Sequence, residues 1–153
     1  MNQIAQLLPP ANILLAFDAE SKAGLFDRMG ALFEANYGLP RRTVVGSLVA
    51  REKLGSTGLG QGVAIPHGRI KGLAAAQGAF VNLARPIAFD APDAKPVSQI
   101  FVLLVPEHAT EQHLQLLSEL AQMFSDRGFR ERLATASDPA AVHALFTDWN
   151  STP

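Results

Sequence analysis

The residues of this chain with chemical potential concentrate at 55–69. The run begins Gly55-Ser56-Thr57-Gly58-Leu59-Gly60-Gln61-Gly62, passes through the short apolar stretch Val63-Ala64-Ile65, and ends Pro66-His67-Gly68-Arg69. Five of these residues are glycine. Glycine lets another molecule approach the main chain closely, and exposed backbone N–H groups in such loops form anion-binding nests. His67 is pinned between Pro66, which restricts the approach of the chain, and Gly68, which leaves the imidazole uncrowded. Fixed direction with open access is what a nucleophile or proton carrier needs. Arg51 and Arg69 bring permanent positive charge to either side of the loop, and guanidinium is the group suited to bidentate phosphate recognition. The hydroxyls of Ser56 and Thr57 can donate to an anion or simply cap the loop. The plainer alternative is a glycine-rich turn carrying a surface histidine, because most glycine clusters are turns.

Three further histidines need the same weighing. His113 falls in the first turn of a helix that Thr110 can cap, on one face with Leu117 and Leu120. A helix N-terminus disfavours an imidazolium and attracts anions, so His113 can be a neutral histidine beside a phosphate-like group. The alternative is a partly buried histidine with one satisfied nitrogen. His108 and His143 read as surface residues, His143 with no partner in sight.

Several chemistries are excluded or disfavoured. The chain has no cysteine, which removes disulfides, thiolate metal sites, iron–sulfur clusters and a cysteine nucleophile. His108 and His113 are five apart, not the four of a helical zinc pair, and Glu107 and Glu111 read as a solvated cap. No metal site and no cofactor is expected. Gly-Lys-Ser/Thr is absent, Gly60-Gln61-Gly62 continues as Val-Ala-Ile rather than as a dinucleotide fingerprint, and there is no Gly-x-Ser-x-Gly elbow. With a net charge of −1 the chain has no global pull on nucleic acid or anionic lipid. Apolar runs such as 100–105 fall far short of the ~20 residues of a membrane helix. The first basic residue is Lys22, so the N-terminus lacks the charged front of a signal peptide. A cytoplasmic protein without membrane insertion is expected.

The elements that must position these residues can be read from the pattern. Hydrophobic residues make up 48% of the chain and charged residues 18%, against a usual charged share of about 25%, so a real core is expected. The 153 residues fit one domain, 1–153, with 150–153 as a frayed tail. A helical turn is expected at 4–8 and a strand at 12–17. A helix follows that is capped by Ser21, carries Leu25, Met29, Leu32 and Phe33, and stops at Gly38. Pro40 opens a second helix running to about Lys53, with Val44, Val45, Leu48 and Val49 as its apolar stripe. Strands are expected at 79–84 and 87–89, with a turn at 90–96. The run 98–105 is the best strand and reads as covered on both faces. Helices follow from Thr110 to about Ser125, with Leu114, Leu117, Leu120, Met123 and Phe124 apolar, at 129–136, and after the Asp138-Pro139 cap. Helices and strands interleaved in this way predict an α/β or α+β domain with helices on a central sheet, with strand order open.

The string Arg51-Glu52-Lys53-Leu54-Gly55-Ser56-Thr57-Gly58, followed by Ile65-Pro66-His67-Gly68-Arg69, resembles the IIA proteins of the bacterial phosphoenolpyruvate-dependent phosphotransferase system. The class is the fructose/mannitol/nitrogen-regulatory one, EIIA type 2. Leu103-Leu104-Val105-Pro106, then His113-Leu114 and Leu117, is similar to that family's second block, and the likeness runs from about 12 to 149. It implies a single mixed β-sheet sandwiched by helices, with His67 as phosphoacceptor, His113 as the second active-site histidine and Arg51 as the phosphate-stabilising arginine. Ser56, Thr57, Gly58 and Gly68 would complete the phosphate loop. The donor implied is an HPr-like phosphocarrier, in a phosphotransferase component rather than a conventional turnover enzyme. A free-standing chain of this class resembles the nitrogen-regulatory type, whose partners include potassium transporters and sensor kinases. Two alternatives stand beside it: a sugar-specific IIA subunit passing phosphate to a IIB partner, and an anion- or protein-binding module that is never phosphorylated.

Overall fold

The computed structural model describes residues 2–108 and 110–149. The cap expected of the Thr110 side chain and the tail at 150–153 lie outside the described residues. Six helices and six strands alternate along the described chain: α1 (Gln3–Gln6), β1 (Ile13–Phe17), α2 (Lys22–Tyr37), α3 (Arg41–Lys53), β2 (Gly58–Gly60), β3 (Val63–Ala64), β4 (His67–Ile70), β5 (Gln77–Ile87), β6 (Val97–Pro106), α4 (Thr110–Ser125), α5 (Arg127–Thr135) and α6 (Pro139–Asp148).

Local chemistry sets the helix ends. The Ser21 hydroxyl accepts from Gly24 N–H at 3.0 Å, which satisfies one orphan donor at the start of α2. Gly38 ends α2 in the left-handed conformation at φ 71°, where a Cβ would be strained. Asp126 and Asp138 cap α5 and α6 through Phe129 N–H and Ala141 N–H, and Pro139 occupies the first turn of α6, where its missing N–H costs nothing. The second helix starts one residue later than expected, with Pro40 as its N-cap residue.

The sheet is mixed. Its order is β1-β5-β6-β3-β2, with β4 also paired to β6. β5 and β6 form the antiparallel centre, β1 runs parallel to β5, and β3 and β4 follow one another along the free side of β6, both parallel to it. Both faces of β6 are covered, as its unbroken apolar run predicts. Ile100, Val102 and Leu104 enter the core beneath α2 and α3, while Phe101, Leu103 and Val105 enter the core beneath α1, α4, α5 and α6. The second core is rich in stacked and edge-on phenylalanines, with Phe129 and Phe146 at 5.2 Å between ring centroids.

Two expectations are corrected here. The separate strands at 79–84 and 87–89 are one long strand, β5, whose register against β6 shifts between Asn82 and Ile87. Pro86 lies in that irregular stretch, where a missing ladder N–H is tolerated, and Phe89 is buried beyond the strand end. On α4 the buried face is His113, Leu116, Leu120, Met123 and Phe124, while Leu114 is 65% exposed. Consecutive helical positions are about 100° apart, so Leu114 turns outward although it neighbours the buried His113.

Candidate functional site

His67 is the first residue of β4, directly opposite Leu103 of β6. Ile65 and Pro66 separate β3 from β4 along the same flank of β6, and Leu103 N–H donates to the Pro66 carbonyl at 2.9 Å. The strand is therefore interrupted for two residues and resumes against β6 in the same register at the histidine. α3 brings Arg51 from one layer of helices, and α4 brings His113 from the other. The three side chains meet at the sheet.

Both ring nitrogens of His67 are engaged. Nδ1 lies 2.9 Å from the Ile65 carbonyl, and Arg51 Nε donates to Nε2 at 3.2 Å. A carbonyl can only accept and a guanidinium can only donate, so this pair of contacts selects the neutral tautomer with the proton on Nδ1 and the lone pair on Nε2. Arg51 is held in turn by Nη1 donating to the Gly55 carbonyl at 2.8 Å. The His113 ring stands edge-on to that of His67, with 5.0 Å between centroids and 69° between planes. His113 is buried, and its Nε2 has no hydrogen-bond partner among the described residues. A buried unpaired nitrogen costs about 1–3 kcal/mol and marks a place where a further polar group would be welcome.

Burial and charge keep both rings neutral. Desolvation is the main cause lowering the His67 pKa. The Ile65 hydrogen bond opposes it, Arg51 adds to it, and Glu52 pulls back the other way. For His113 burial, then the His67 ring, Arg69 and Arg51, push the pKa down to about 4. A group that binds its proton more weakly when folded makes stability rise with pH wherever the unfolded chain is the more protonated form. For His113 that window runs from about 4 to the unfolded value near 6.5. Stability is complete above 6.5 and is lost as pH falls through the window. Urea unfolding midpoints should thus fall between pH 7 and pH 4.5, by an amount on the order of 2 kcal/mol from this residue. In His113→Gln that part of the slope should disappear; an unchanged slope would show that His113 is not held neutral.

An open cavity of about 320 Å³ lies over His67 and Arg51, with Thr57, Leu59, Ile65 and Leu117 among its other lining residues. The glycine-rich segment beside it is more structured than a loop. Residues 58–60 form β2, which pairs antiparallel with β3, and Gln61 makes the turn at φ 58°. Its polar groups are largely consumed within the protein. Thr57 Oγ1 donates to Glu52 at 2.6 Å, Ser56 Oγ donates to the Phe89 carbonyl at 2.7 Å, and Gly58 N–H donates to Ser56 Oγ at 3.1 Å. The amides of Gly55 and Gln61 donate to the Glu52 carbonyl and to Asp93. These groups build the wall of the cavity rather than a free anion nest. Gly68 has a steric duty: a Cβ there would sit 2.1 Å from Ser47 Oγ, so α3 packs directly on the backbone of β4.

The remaining histidines divide. His108 is exposed and beside Glu107, as expected. His143 is not without a partner: it is half-buried on α6, and its Nε2 lies 3.2 Å from the Ala5 carbonyl, tying α6 to α1. Glu52 also belongs to this region: its carboxylate is buried and bonded to Lys22 and Thr57, although the sequence gives it no separate signal. In the sequence it is marked only as part of the string it shares with Arg51.

Comparison with known proteins identifies the family. The sequence model of the family described as "Phosphoenolpyruvate-dependent sugar phosphotransferase system, EIIA 2" matches residues 6–149. The chain belongs to that family. Within the EIIA 2 family, its similarity is strong to nitrogen regulatory proteins. It is 40% identical over 151 residues to the nitrogen regulatory protein of Pseudomonas aeruginosa, covering 97% of each chain. The crystal structure of nitrogen regulatory protein IIA-Ntr from Neisseria meningitidis superposes with a TM-score of 0.90 at 51% identity, covering 94% of this chain and 99% of that one. A fructose-specific EIIA component of Haloferax volcanii is 34% identical over 108 residues, or 71% of this chain and 70% of that one. The mixed sheet between helices is therefore an EIIA type-2 fold, as the sequence resemblance implies. Among the described residues no helix is long and apolar enough to cross a membrane.

Proposed function

We propose that the chain is a histidine phosphocarrier that takes a phosphoryl group on His67 from an HPr-like carrier and acts mainly as a regulator, through partners that distinguish its two charge states. The observation that carries this reading is the engagement of His67: Nδ1–H is committed to the Ile65 carbonyl, and the Nε2 lone pair faces Arg51. In the transfer, Nε2 uses its lone pair to form the new N–P bond. The donor's N–P bond breaks, and the donor imidazole leaves with that electron pair. Nδ1 keeps its proton throughout, so no base is needed.

The chain's part is positioning and charge stabilisation. As phosphorus arrives, Arg51 exchanges its contact with Nε2 for a phosphoryl oxygen, keeping its anchor on Gly55. His113, neutral and with an unsatisfied Nε2, donates to a second oxygen. Ser56, Thr57, Gly58 and Gly68 act as scaffold rather than as direct ligands, since their groups are used internally or by packing.

The phosphorylated state adds about 1.5–2 negative charges beside the cavity. That change repels acidic partners and recruits arginines, which is the basis for a regulatory role. Relatives at 40% and 51% identity carry the name nitrogen regulatory protein, which favours regulation over sugar delivery. Potassium transporters and sensor kinases are the target classes to test. The sugar-specific reading, with a IIB partner as acceptor, has the fructose-specific relative in its favour.

The test is a defined mixture of phosphoenolpyruvate, enzyme I, an HPr-like carrier and this protein, read by intact mass. One acid-labile phosphate is expected; none, with the carrier shown to be charged, would leave the binding-module reading. Because burial holds the His67 pKa below its ordinary value, the acid-side decline of the transfer rate should have its midpoint below 6.5. A midpoint at or above 6.5 would contradict a nucleophile held neutral by burial.

A further inference from the structure

Glu52 follows Arg51 at the end of α3, and its carboxylate is 7% exposed. A buried carboxylate is costly unless its oxygens are paired. Three donors converge on this one. Lys22 Nζ, from the start of α2, reaches Oε2 at 2.8 Å. Thr57 Oγ1 reaches Oε1 at 2.6 Å, and Thr57 N–H lies 3.1 Å from Oε2 and 3.3 Å from Oε1. Lys22 is itself seated 4.7 Å over the Phe89 ring and 3.3 Å from Asp90.

The connection continues to the reacting ring. The Thr57 carbonyl accepts from Ile65 N–H at 3.0 Å, and the Ile65 carbonyl is the partner of His67 Nδ1 at 2.9 Å. Glu52, Thr57, Ile65 and His67 thus form an unbroken series of hydrogen bonds. The two consecutive residues at the end of α3 address opposite sides of one imidazole. Arg51 acts directly on Nε2, and Glu52 acts through Thr57 and Ile65 on Nδ1.

We propose that Glu52 is a positioning residue for phosphoryl transfer: by fixing Thr57, and through it Ile65, it keeps the His67 Nδ1–H donated to the Ile65 carbonyl and Nε2 aimed into the cavity. This rests on His67 being the phosphoacceptor. The chemistry of the carboxylate is specific. The Thr57 hydroxyl can also accept, but the Lys22 ammonium and Thr57 N–H can only donate, and that N–H lies near both oxygens, so a neutral amide of the same shape would set its NH2 against at least one of these two. The displacement would pass along a short, stiff path to a nucleophile whose alignment sets the rate.

Glu52→Gln is the direct test. The maximal rate of phosphate uptake should fall about tenfold to hundredfold. The carrier concentration giving half-maximal rate should stay within about twofold, because Glu52 does not face the cavity opening. Nitrogen NMR of the His67 ring should show one Nδ1–H tautomer in the wild type and a mixture in the variant. Thr57→Ser keeps the hydroxyl and should remain within about twofold of wild type, while Thr57→Val should show both defects more weakly. If Glu52→Gln does not fold, the Ser and Val pair at Thr57 decides the matter. A folded Glu52→Gln with wild-type rate and a single tautomer would overturn the proposal, as would equal behaviour of Thr57→Ser and Thr57→Val. If the wild type takes no phosphate from a charged carrier, the phosphocarrier reading fails, and the tautomer measurement still decides whether Glu52 positions His67.

Discussion

His67→Ala should take up no phosphate at all, whereas His113→Gln and Arg51→Lys should each be phosphorylated slowly and completely. The difference follows from what each side chain does. In the proposed transfer His67 supplies the lone pair that forms the N–P bond, and alanine leaves no nucleophile in its place. The Nε2 of His113 is buried, and its ring stands edge-on to that of His67 at 5.0 Å. Removing a preorganised donor to a developing charge costs a factor on the order of 10²–10³ in rate. Glutamine keeps an N–H that can reach part of the way, so the lower end applies. Arg51→Lys retains the charge but loses the fork: Arg51 uses Nε on His67 and Nη1 on Gly55 together, and a single ammonium cannot hold both. Time courses of intact mass with a charged carrier separate the three variants. Phosphate on His67→Ala would place the acceptor elsewhere, and wild-type rates for His113→Gln would remove His113 from the mechanism. Circular dichroism should show all three folded, because His67 and Arg51 are only half-buried and no packed apolar core residue is lost.

The parts of the site legible in the sequence were those marked by a local constraint. His67 stands out because Pro66 and Gly68 flank it, and the structure places it at the start of β4, after a two-residue interruption of the strand. His113 stood out because it is in the first turn of a strongly amphipathic helix. The helices were legible for similar reasons, since Ser21, Gly38, Asp126 and Asp138 each act within a few residues of themselves. What the sequence did not show was set by distant partners. The glycine-rich run has the composition of an anion nest, yet Ser56 is drawn to Phe89 and Gln61 to Asp93, more than thirty residues away. The ends of β5 depend on its pairing with β6 and not on its own propensity, so the strand passes through Ala84-Arg85-Pro86 where an isolated reading breaks it. Glu52 looked like any charged residue near a helix end. Only the fold brings Lys22 across from α2 and turns the chain at 54–56 so that Thr57 faces the carboxylate.

Gly68→Ala should damage both stability and transfer, although alanine is an ordinary strand residue and Gly68 is not among the glycines with positive φ. The reason is the closeness of α3. A Cβ at position 68 would lie 2.1 Å from Ser47 Oγ, 3.0 Å from Ser47 Cβ and 3.3 Å from the Ser47 backbone carbon. Rotating the hydroxyl relieves the first contact, but it gives up the Ser47 Oγ hydrogen bond to the Arg69 carbonyl at 3.1 Å and leaves the other two. The helix must therefore move outward. Overpacking of this kind costs about 1–3 kcal/mol, read as a lower urea midpoint. Arg51 is one helical turn beyond Ser47 on the same helix, so a displacement at Ser47 is carried to the guanidinium that contacts His67. A misplacement of that size reduces transfer by roughly tenfold to a hundredfold. Removing the opposing Cβ should relieve the clash: Ser47→Gly alone should destabilise by about 0.5–1 kcal/mol as a helix glycine, yet in the Gly68→Ala background it should recover much of the lost stability and rate. That sign reversal separates close packing from a general weakness at position 68. If Gly68→Ala is as stable and as active as wild type, α3 is not seated on β4 this closely. If the double variant is simply the sum of the two singles, the seat is there but Ser47 is not what fills it.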